Sequence, residues 1–244
     1  MAAGRPSRWR TALLLMLPLI LGILLASCPG HDAGVAADAL RLEGRQIDLR
    51  GKKVREKDLA PLAAPQFRSV DTVLLARAEL EPAAIAHLRS IPVTTLDLAF
   101  TSIGDDDLAS LRGLALSNLD LHATGVGDPS GPLLASLPLD TLRLGSTAIG
   151  DSVVEAVGGL PLRRLDLQRT RITDAVARSI VRLHRLEDLD LSHTSVGDAT
   201  VEALIGLENL RWLGLVETRA SAAAIARLQA RRPELRIQTE LPTR

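Results

Sequence analysis

A unit of 23 or 24 residues repeats along most of this 244-residue chain, and this feature constrains the fold most strongly. The copies share the pattern Leu-x-x-Leu-x-Leu-x-x-Thr-x-Ile/Val-Gly/Thr-Asp, followed by apolar residues about three apart. Their leading apolar residues are Val70, Val93, Leu116, Leu139, Leu162, Leu186 and Leu210. A fixed period of this length predicts a solenoid, because a single copy cannot bury its own apolar face and must stack on its neighbours.

The pattern resembles the leucine-rich repeat family over about residues 45–240, and the chain holds 47 leucines. An imperfect copy begins at Ile47, and the segment from Leu235 predicts a terminal strand. The resemblance is to bacterial, ribonuclease-inhibitor-like repeats, and it implies an α/β right-handed solenoid with parallel strands on the concave side and short helices on the convex side. Residues 44–244 would hold about seven or eight repeats. Most copies carry Thr where many members carry Asn, namely Thr101, Thr124, Thr147, Thr170, Thr194 and Thr218.

Each copy also predicts its own secondary structure. The Leu-x-Leu segment alternates apolar and polar residues, which is typical of a strand with one buried face. An Asp then precedes apolar residues at helical spacing, where a carboxylate can cap the first free amides of a helix. In one copy Pro129, Gly131 and Pro132 predict an irregular turn instead of a helix. The capping candidates are Asp105, Asp128, Asp151, Asp174 and Asp198.

The N-terminal segment predicts a secretory signal peptide over residues 1–27. Arg5, Arg8 and Arg10 precede an uninterrupted apolar run of 15 residues, Ala12 to Ala26. A basic region followed by such a run is typical of an export signal. A membrane-spanning helix needs roughly 20 apolar residues, so a permanent transmembrane anchor is the weaker interpretation.

The end of that segment resembles the lipobox of bacterial lipoproteins, which reads Leu25-Ala26-Ser27-Cys28. The resemblance implies cleavage between Ser27 and Cys28 and attachment of acyl chains to Cys28, with residues 28–43 as the lipidated cysteine and a tether. Pro29 after the cysteine favours the outer membrane over the inner membrane, again by resemblance. The alternative is an ordinary signal peptide or short anchor with an incidental cysteine. With a single Cys, the chain cannot form an internal disulfide.

The concave strand columns supply the candidate binding residues. Asp140, Arg163, Glu187 and Arg211 alternate in sign along one column, so they could simply form a cross-strand ladder of ion pairs. The competing interpretation is a recognition surface for a protein partner, because Trp beside Arg is typical of interface hot spots. Trp212 could also cover the C-terminal end of the core. The candidates are Arg143, Arg163, Arg164, Asp166, Arg169, Asp188, Asp190, His193, Arg211 and Trp212.

Catalysis, cofactors and metals are not expected. The sequence has no Gly-rich phosphate loop, His-Glu-x-x-His or Gly-x-Ser-x-Gly motif. His122 and His193 are three repeats apart, roughly 14 Å along a solenoid, which is too far to share a metal. Asp166 and Asp190 could approach a cation together, but Arg143 and Arg164 are expected to neutralise them first.

The net charge and the predicted lipid anchor indicate which partners and which location to expect. The chain has 29 basic and 29 acidic residues, so it offers no basic face for nucleic acid. The sequence therefore predicts a lipoprotein of the cell envelope, anchored through lipid, whose repeats form a protein-protein interaction module. Two alternatives remain: a structural envelope component that self-associates, and an exported effector that binds host proteins.

Overall fold

The computed structural model describes residues 44–240, so the predicted signal peptide, the predicted lipidation site Cys28 and the whole of the predicted tether lie outside the described residues. Nine short strands in this range form one parallel sheet, in the order in which they occur along the chain. They are Gln46–Asp48 (β1), Thr72–Leu74 (β3), Thr95–Asp97 (β5), Asn118–Asp120 (β6), Thr141–Arg143 (β7), Arg164–Asp166 (β8), Asp188–Asp190 (β9), Trp212–Gly214 (β10) and Arg236–Gln238 (β11).

Each strand pairs with the same position of the next repeat, which confirms the predicted solenoid. Leu142, for example, lies opposite Leu165, which in turn lies opposite Leu189. The first two repeats, where Lys52 and Ala78 occupy the Thr slot, carry a second pair of parallel strands, Lys53–Val54 (β2) and Glu79–Leu80 (β4). The terminal strand predicted from Leu235 is β11.

Short helical segments return the chain along the convex side. The α-helices are Glu56–Leu59 (α1), Gly131–Leu134 (α2), Asp151–Val157 (α3), Ala177–Ile180 (α4), Asp198–Ala203 (α5) and Ala222–Arg231 (α6). In two repeats a 3-10 helix takes the place of the α-helix, at Pro82–Ser90 and Asp107–Leu111. Shorter 3-10 segments accompany the α-helices of other repeats, at Ala60–Ala63, Pro65–Phe67, Asp128–Ser130, Asp174–Val176 and Leu204–Gly206. None of the helices between residues 44 and 240 is long and apolar enough to cross a bilayer.

The expectation of an irregular turn around Pro129 was wrong. A 3-10 turn at Asp128–Ser130 runs directly into α2, and each begins with a proline in its first turn. Proline is tolerated there because the first amides of a helix have no intrahelical acceptor and its fixed φ suits the helix. The two prolines therefore start the segment and do not break it.

The core is a stack of aliphatic columns between the sheet and the convex segments. Leu165 and Leu189, the inward residues of β8 and β9, are at most 1% exposed. Burying one such side chain stabilises the fold by roughly 1.5–3 kcal/mol. Every buried side-chain nitrogen or oxygen within the described residues has a hydrogen-bond partner. The repeats therefore pack without leaving polar groups unpaired between them.

One residue per repeat adopts the left-handed conformation just after its strand. Such a backbone costs a non-glycine residue roughly 1–2 kcal/mol. In every copy before the last, the amide of this residue donates to a carbonyl of the following repeat, as Ala123 does to Gly145 at 2.8 Å. The hydrogen bond extends the pairing of the strands beyond their ends. The non-glycine members, with φ between 51° and 60°, are Arg77, Phe100, Ala123, Ser146, Arg169, His193 and Glu217.

The Thr column closes the same turn from inside. Each hydroxyl donates to the backbone carbonyl three residues earlier; for Thr147 and Leu144 the distance is 2.5 Å. The same bond forms in all six copies that carry Thr in this slot. Threonine thus satisfies a buried turn carbonyl and contributes a methyl group to the core.

The Asp column does not cap its own helices as expected. In the copies with Gly127, Gly150, Thr173 and Gly197, that residue holds the N-cap position and the aspartate after it is the first helical residue. The carboxylates instead accept backbone amides of the next repeat. The five bonds run from Gly127 to Asp105, from Gly150 to Asp128, from Thr173 to Asp151, from Gly197 to Asp174 and from Ser221 to Asp198, at 2.6–2.9 Å.

Candidate functional site on the concave surface

The concave face of the C-terminal half is built by two neighbouring columns of strand residues. The parallel register places Arg164, Asp188 and Trp212 side by side at the first strand position. At the third position the register brings Asp166 beside Asp190. Because the intervening leucine of each strand points into the core, both columns face the same side of the sheet.

Six of the predicted binding residues surround one concave depression of about 330 Å³. Its floor includes Leu165, and Trp212 is only partly buried. The sheet continues past Trp212 to β11, so this residue does not cover the end of the core. The six are Arg143, Arg164, Asp166, Asp188, Asp190 and Trp212.

The two arginines of the depression pair with different acids from those expected. Arg143 Nη1 lies 3.1 Å from Asp120 Oδ2, and Arg164 Nε donates to Asp188 Oδ2 at 3.0 Å. The prediction that they neutralise Asp166 and Asp190 was therefore wrong. Each arginine reaches along its own column, where the neighbouring carboxylate is one strand away.

Asp166 and Asp190 are held by their own turns. One oxygen of Asp166 accepts the amide of Gln168 at 3.0 Å, and one oxygen of Asp190 accepts the amide of Ser192 at 2.9 Å. Burial raises the pKa of the Asp166 carboxyl, and the adjacent Asp190 carboxylate raises it further. The second oxygen of Asp190 has no hydrogen-bond donor among the described residues. The depression therefore has a fixed acidic centre.

Two glycines make room for these side chains. A Cβ atom on Gly214 would collide with the Asp190 carboxylate and the Ser192 hydroxyl. A Cβ atom on Gly145 would lie 2.6 Å from His122 Nδ1 and 3.0 Å from Asp166 Oδ1. Because these distances are too short for real contacts, a larger residue at either position would displace the neighbouring polar groups.

Sequence reasoning did not identify the aromatic pair that borders this surface. Phe100 is 49% exposed, and its ring centroid lies 5.1 Å from that of His122. The Arg77 guanidinium lies over the Phe100 ring at 5.0 Å, and His122 Nδ1 lies 3.9 Å from Asp166 Oδ2. The signal was present in the alignment of the repeats, because Phe100 is the phenylalanine of the left-handed turn column.

The other four predicted residues do not line the depression. Arg163 lies directly before β8, where it pairs with Glu187 at 3.2 Å and reaches Asp140 at 4.0 Å, as the ladder interpretation predicts. Arg169 and His193 occupy left-handed turns, and His193 lies 2.9 Å from Glu217. Arg211 lines a neighbouring depression of about 570 Å³ beside Trp212.

The described surface holds no group of three or more His, Cys, Asp or Glu residues that could bind a metal ion. What it offers is a wide polar face with fixed carboxylates, two guanidinium groups and one indole. Such groups can form hydrogen bonds and ion pairs over a broad contact area.

Comparisons with known proteins agree with this architecture. Two family models described as leucine rich repeat match residues 161–219 and 89–111. The described residues have the fold of a leucine-rich-repeat solenoid. No curated protein matches the chain. Neither match indicates an enzyme family, and leucine-rich repeats are generally protein-protein interaction modules.

Two solved structures of bacterial leucine-rich-repeat proteins are similar in fold. An internalin from Listeria monocytogenes is 19% identical with a TM-score of 0.55, and the match covers 76% of this chain and 58% of that one. A leucine-rich-repeat protein of Leptospira interrogans is 18% identical with a TM-score of 0.52, over 71% of this chain and 44% of that one. The chain thus spans about half the length of each of these two proteins.

Proposed function

We propose that this leucine-rich-repeat protein is an exported lipoprotein, anchored in the cell envelope through Cys28, that binds a protein partner on the concave face of its C-terminal half. The observation that carries the binding proposal is the depression in which Trp212 lies beside Arg164, Asp188 and Asp190. Partly exposed Trp and Arg are the residue types that dominate binding energy in protein interfaces.

The rigidity of this surface supports binding. The strand register fixes Arg164 beside Asp188, and the turn amides fix the carboxylates of Asp166 and Asp190. A surface whose side chains are already ordered loses little conformational entropy when a partner docks. The free oxygen of Asp190 and the acidic centre of the depression favour a partner that presents Lys or Arg side chains there.

The N-terminal sequence supports the location. A basic segment, an apolar run of 15 residues and Leu25-Ala26-Ser27-Cys28 form the order expected of a lipoprotein signal. Acyl chains contribute about 0.8 kcal/mol for each buried methylene, so two or more chains hold a protein stably on a bilayer. Pro29 after the cysteine favours the outer membrane over the inner one.

The binding proposal is tested by crosslinking and affinity capture from the native envelope. The test variant is Arg164→Glu/Trp212→Ala, and the matched control is Arg178→Glu/Leu160→Ala, which changes an exposed arginine and a partly buried apolar residue away from the concave strands. A protein captured by the wild type and the control but lost from the test variant supports concave binding. Equal capture by all three would move the site elsewhere.

The location is tested separately with Cys28→Ser. This variant is expected to remain unprocessed or to leave the membrane fraction, because it lacks the thiol that carries the lipid. Normal acylated protein in the membrane fraction of the Cys28→Ser strain would contradict lipidation at this residue and would leave the binding result unaffected.

A further inference from the structure

The C-terminal end of the solenoid leaves three core columns only partly covered. Ala220, Ile225 and Ile237 lie one repeat after Val196, Val201 and Leu213. The three earlier residues are fully buried, whereas the terminal three are partly exposed. The apolar interior of the solenoid therefore reaches the surface at this end.

These residues line a groove of about 530 Å³ between the last helix and the last strand. Ala222, Ile225, Ala226 and Gln229 of α6 face it with the spacing i, i+3, i+4 and i+7, which defines one face of a helix. On its other side, β11 has no strand partner beyond it among residues 44–240. A strand edge with free backbone groups can pair with another chain.

The end surface cannot continue the solenoid by the bonds that join the other repeats. The position equivalent to Asp198 is Ala222, so no carboxylate here can accept an amide of a further repeat. At the other end of the sheet, Ile47 of β1 is fully buried. Head-to-tail stacking of copies therefore lacks the aspartate bond, and Ile47 offers it no exposed apolar side chain.

The edge strand is complementary in charge to a second copy of itself. Arg236 and Glu240 are exposed, lie two residues before and after Gln238, and have no ion-pair partner within the described part of the chain. Side chains two residues apart on a strand point to the same face. β11 itself ends at Gln238, and Glu240 follows it in a bend. If the strand extends to Glu240 in an antiparallel pairing centred on Gln238, Arg236 of each copy lies opposite Glu240 of the other, which gives two ion pairs.

We propose that this end is a docking surface for a second copy of the chain, joined by a two-fold axis that passes between the two Gln238 residues. The β11 strands pair antiparallel, and the Ile225 and Ile237 side chains of the two copies cover each other. A two-fold contact of this kind uses the same patch on both copies and closes as a dimer. The concave depression remains accessible on each copy.

The charge pairing is tested by sedimentation velocity on the full chain in detergent, over a range of protein concentrations. The wild type is expected to form dimers, and both Arg236→Glu and Glu240→Arg are expected to weaken the dimer at least tenfold. The combined variant Arg236→Glu/Glu240→Arg restores both ion pairs with reversed polarity and is expected to recover the dimer. Arg178→Glu, on the convex side, is the matched control.

A wild-type chain that stays monomeric at every concentration would overturn the proposal. So would a dimer that persists in both single variants, because the contact would then lie elsewhere.

A second measurement tests the centre of the pairing. The Gln238→Cys variant is expected to form an intermolecular disulfide under mild oxidation, since residues on the axis lie within reach of each other. Ala199→Cys, exposed on α5, controls for random collision, and the wild type controls for Cys28. Equal crosslinking of Gln238→Cys and Ala199→Cys would overturn the antiparallel register.

Discussion

The carboxylate of Asp174 accepts the backbone amide of Gly197 at 2.7 Å, although the two residues belong to successive repeats. The same oxygen accepts the Thr200 hydroxyl at 2.7 Å. Burial alone would raise the pKa of Asp174, but the hydrogen bonds from Thr200 and Gly197 outweigh it and hold the pKa below its usual value. Four further aspartates make the same contact with a backbone amide of the following repeat. The repeats are therefore joined by carboxylates on their convex side as well as by strand pairing.

Replacing Asp174 with Ala is expected to lower the free energy of unfolding by about 1–3 kcal/mol, because it leaves a buried amide and the fully buried Thr200 without their acceptor. Urea unfolding of the full chain measures the loss. The exposed Asp106 provides the matched variant, Asp106→Ala, which is expected to change stability by less than about 0.5 kcal/mol. Equal effects of the two changes would contradict the role of the cross-repeat bond.

The same bond predicts a pH dependence. The folded pKa of Asp174 is lowered, so its contribution is present above the unfolded pKa of about 3.9 and is lost as the pH falls through the folded value. The difference between the wild type and Asp174→Ala is therefore expected to shrink in acid. If the stability difference stayed constant from neutral pH to pH 3, the stabilisation would not depend on the ionised Asp174 carboxylate.

Arg232 is expected to be the most sensitive charged residue of the last repeat. Its side chain is only 8% exposed, and it donates to the carbonyls of Leu207, Glu208 and Leu210 and to Glu234. Arg232→Met would remove the donor of the Glu208 and Leu210 carbonyls, while the Leu207 carbonyl keeps the Leu210 amide, and is expected to cost about 3 kcal/mol or more. Arg231→Met, its exposed neighbour, is the control. Amide exchange in residues 204–240 should increase only in Arg232→Met.

The sequence was sufficient to predict the fold because two patterns, the 23–24-residue period and the alternation of apolar and polar residues, both reflect the burial of one leucine side chain per strand. A leucine that must be buried at the same point of each turn has to recur at a fixed interval, so the leading residues from Val70 to Leu210 predicted the strand positions and the register. The prediction for Pro129 failed because proline was treated as a helix breaker, whereas its position in the first helical turn makes it compatible with the helix.

Side-chain partners were harder to predict than positions. Asp105 and its equivalents were recognised at the start of the helical segments, but the spacing along one repeat cannot show that a carboxylate reaches the next repeat. The same limit applied to the binding surface. The column pattern placed Trp212, Arg164 and Asp188 together, but it could not show that Arg164 pairs with Asp188. Asp166 and Asp190 are therefore left without an arginine partner. The rotamer that Arg164 adopts depends on the side chains of the neighbouring strand.

The left-handed turn predicts a stabilising substitution at Ala123. Its φ of 54° costs a residue with a Cβ atom roughly 1–2 kcal/mol, whereas glycine adopts this conformation freely. Glycine also raises the entropy of the unfolded chain, which costs about 0.4–1 kcal/mol. Ala123→Gly is therefore expected to raise the free energy of unfolding by about 0.5 kcal/mol. Ala148 is an exposed residue outside this column, and Ala148→Gly should lower the free energy of unfolding. A loss of stability in both variants would contradict backbone strain at Ala123.

Asp166 should respond to pH in the sense opposite to Asp174. Burial raises its pKa in the folded protein, so the ionised carboxylate destabilises the fold at neutral pH, and the protein gains stability as the pH falls through the folded value. Asp166→Asn removes the charge and keeps an oxygen that can accept the Gln168 amide. The variant is expected to be more stable than the wild type at pH 7, and the difference should vanish below about pH 4, where the wild-type carboxyl is protonated in both states.

Urea unfolding at several pH values measures this difference, and Asp106→Asn controls for a change in net charge. An Asn variant less stable than the wild type at pH 7 would show that the carboxylate is stabilised by its surroundings, contrary to its burial beside Asp190.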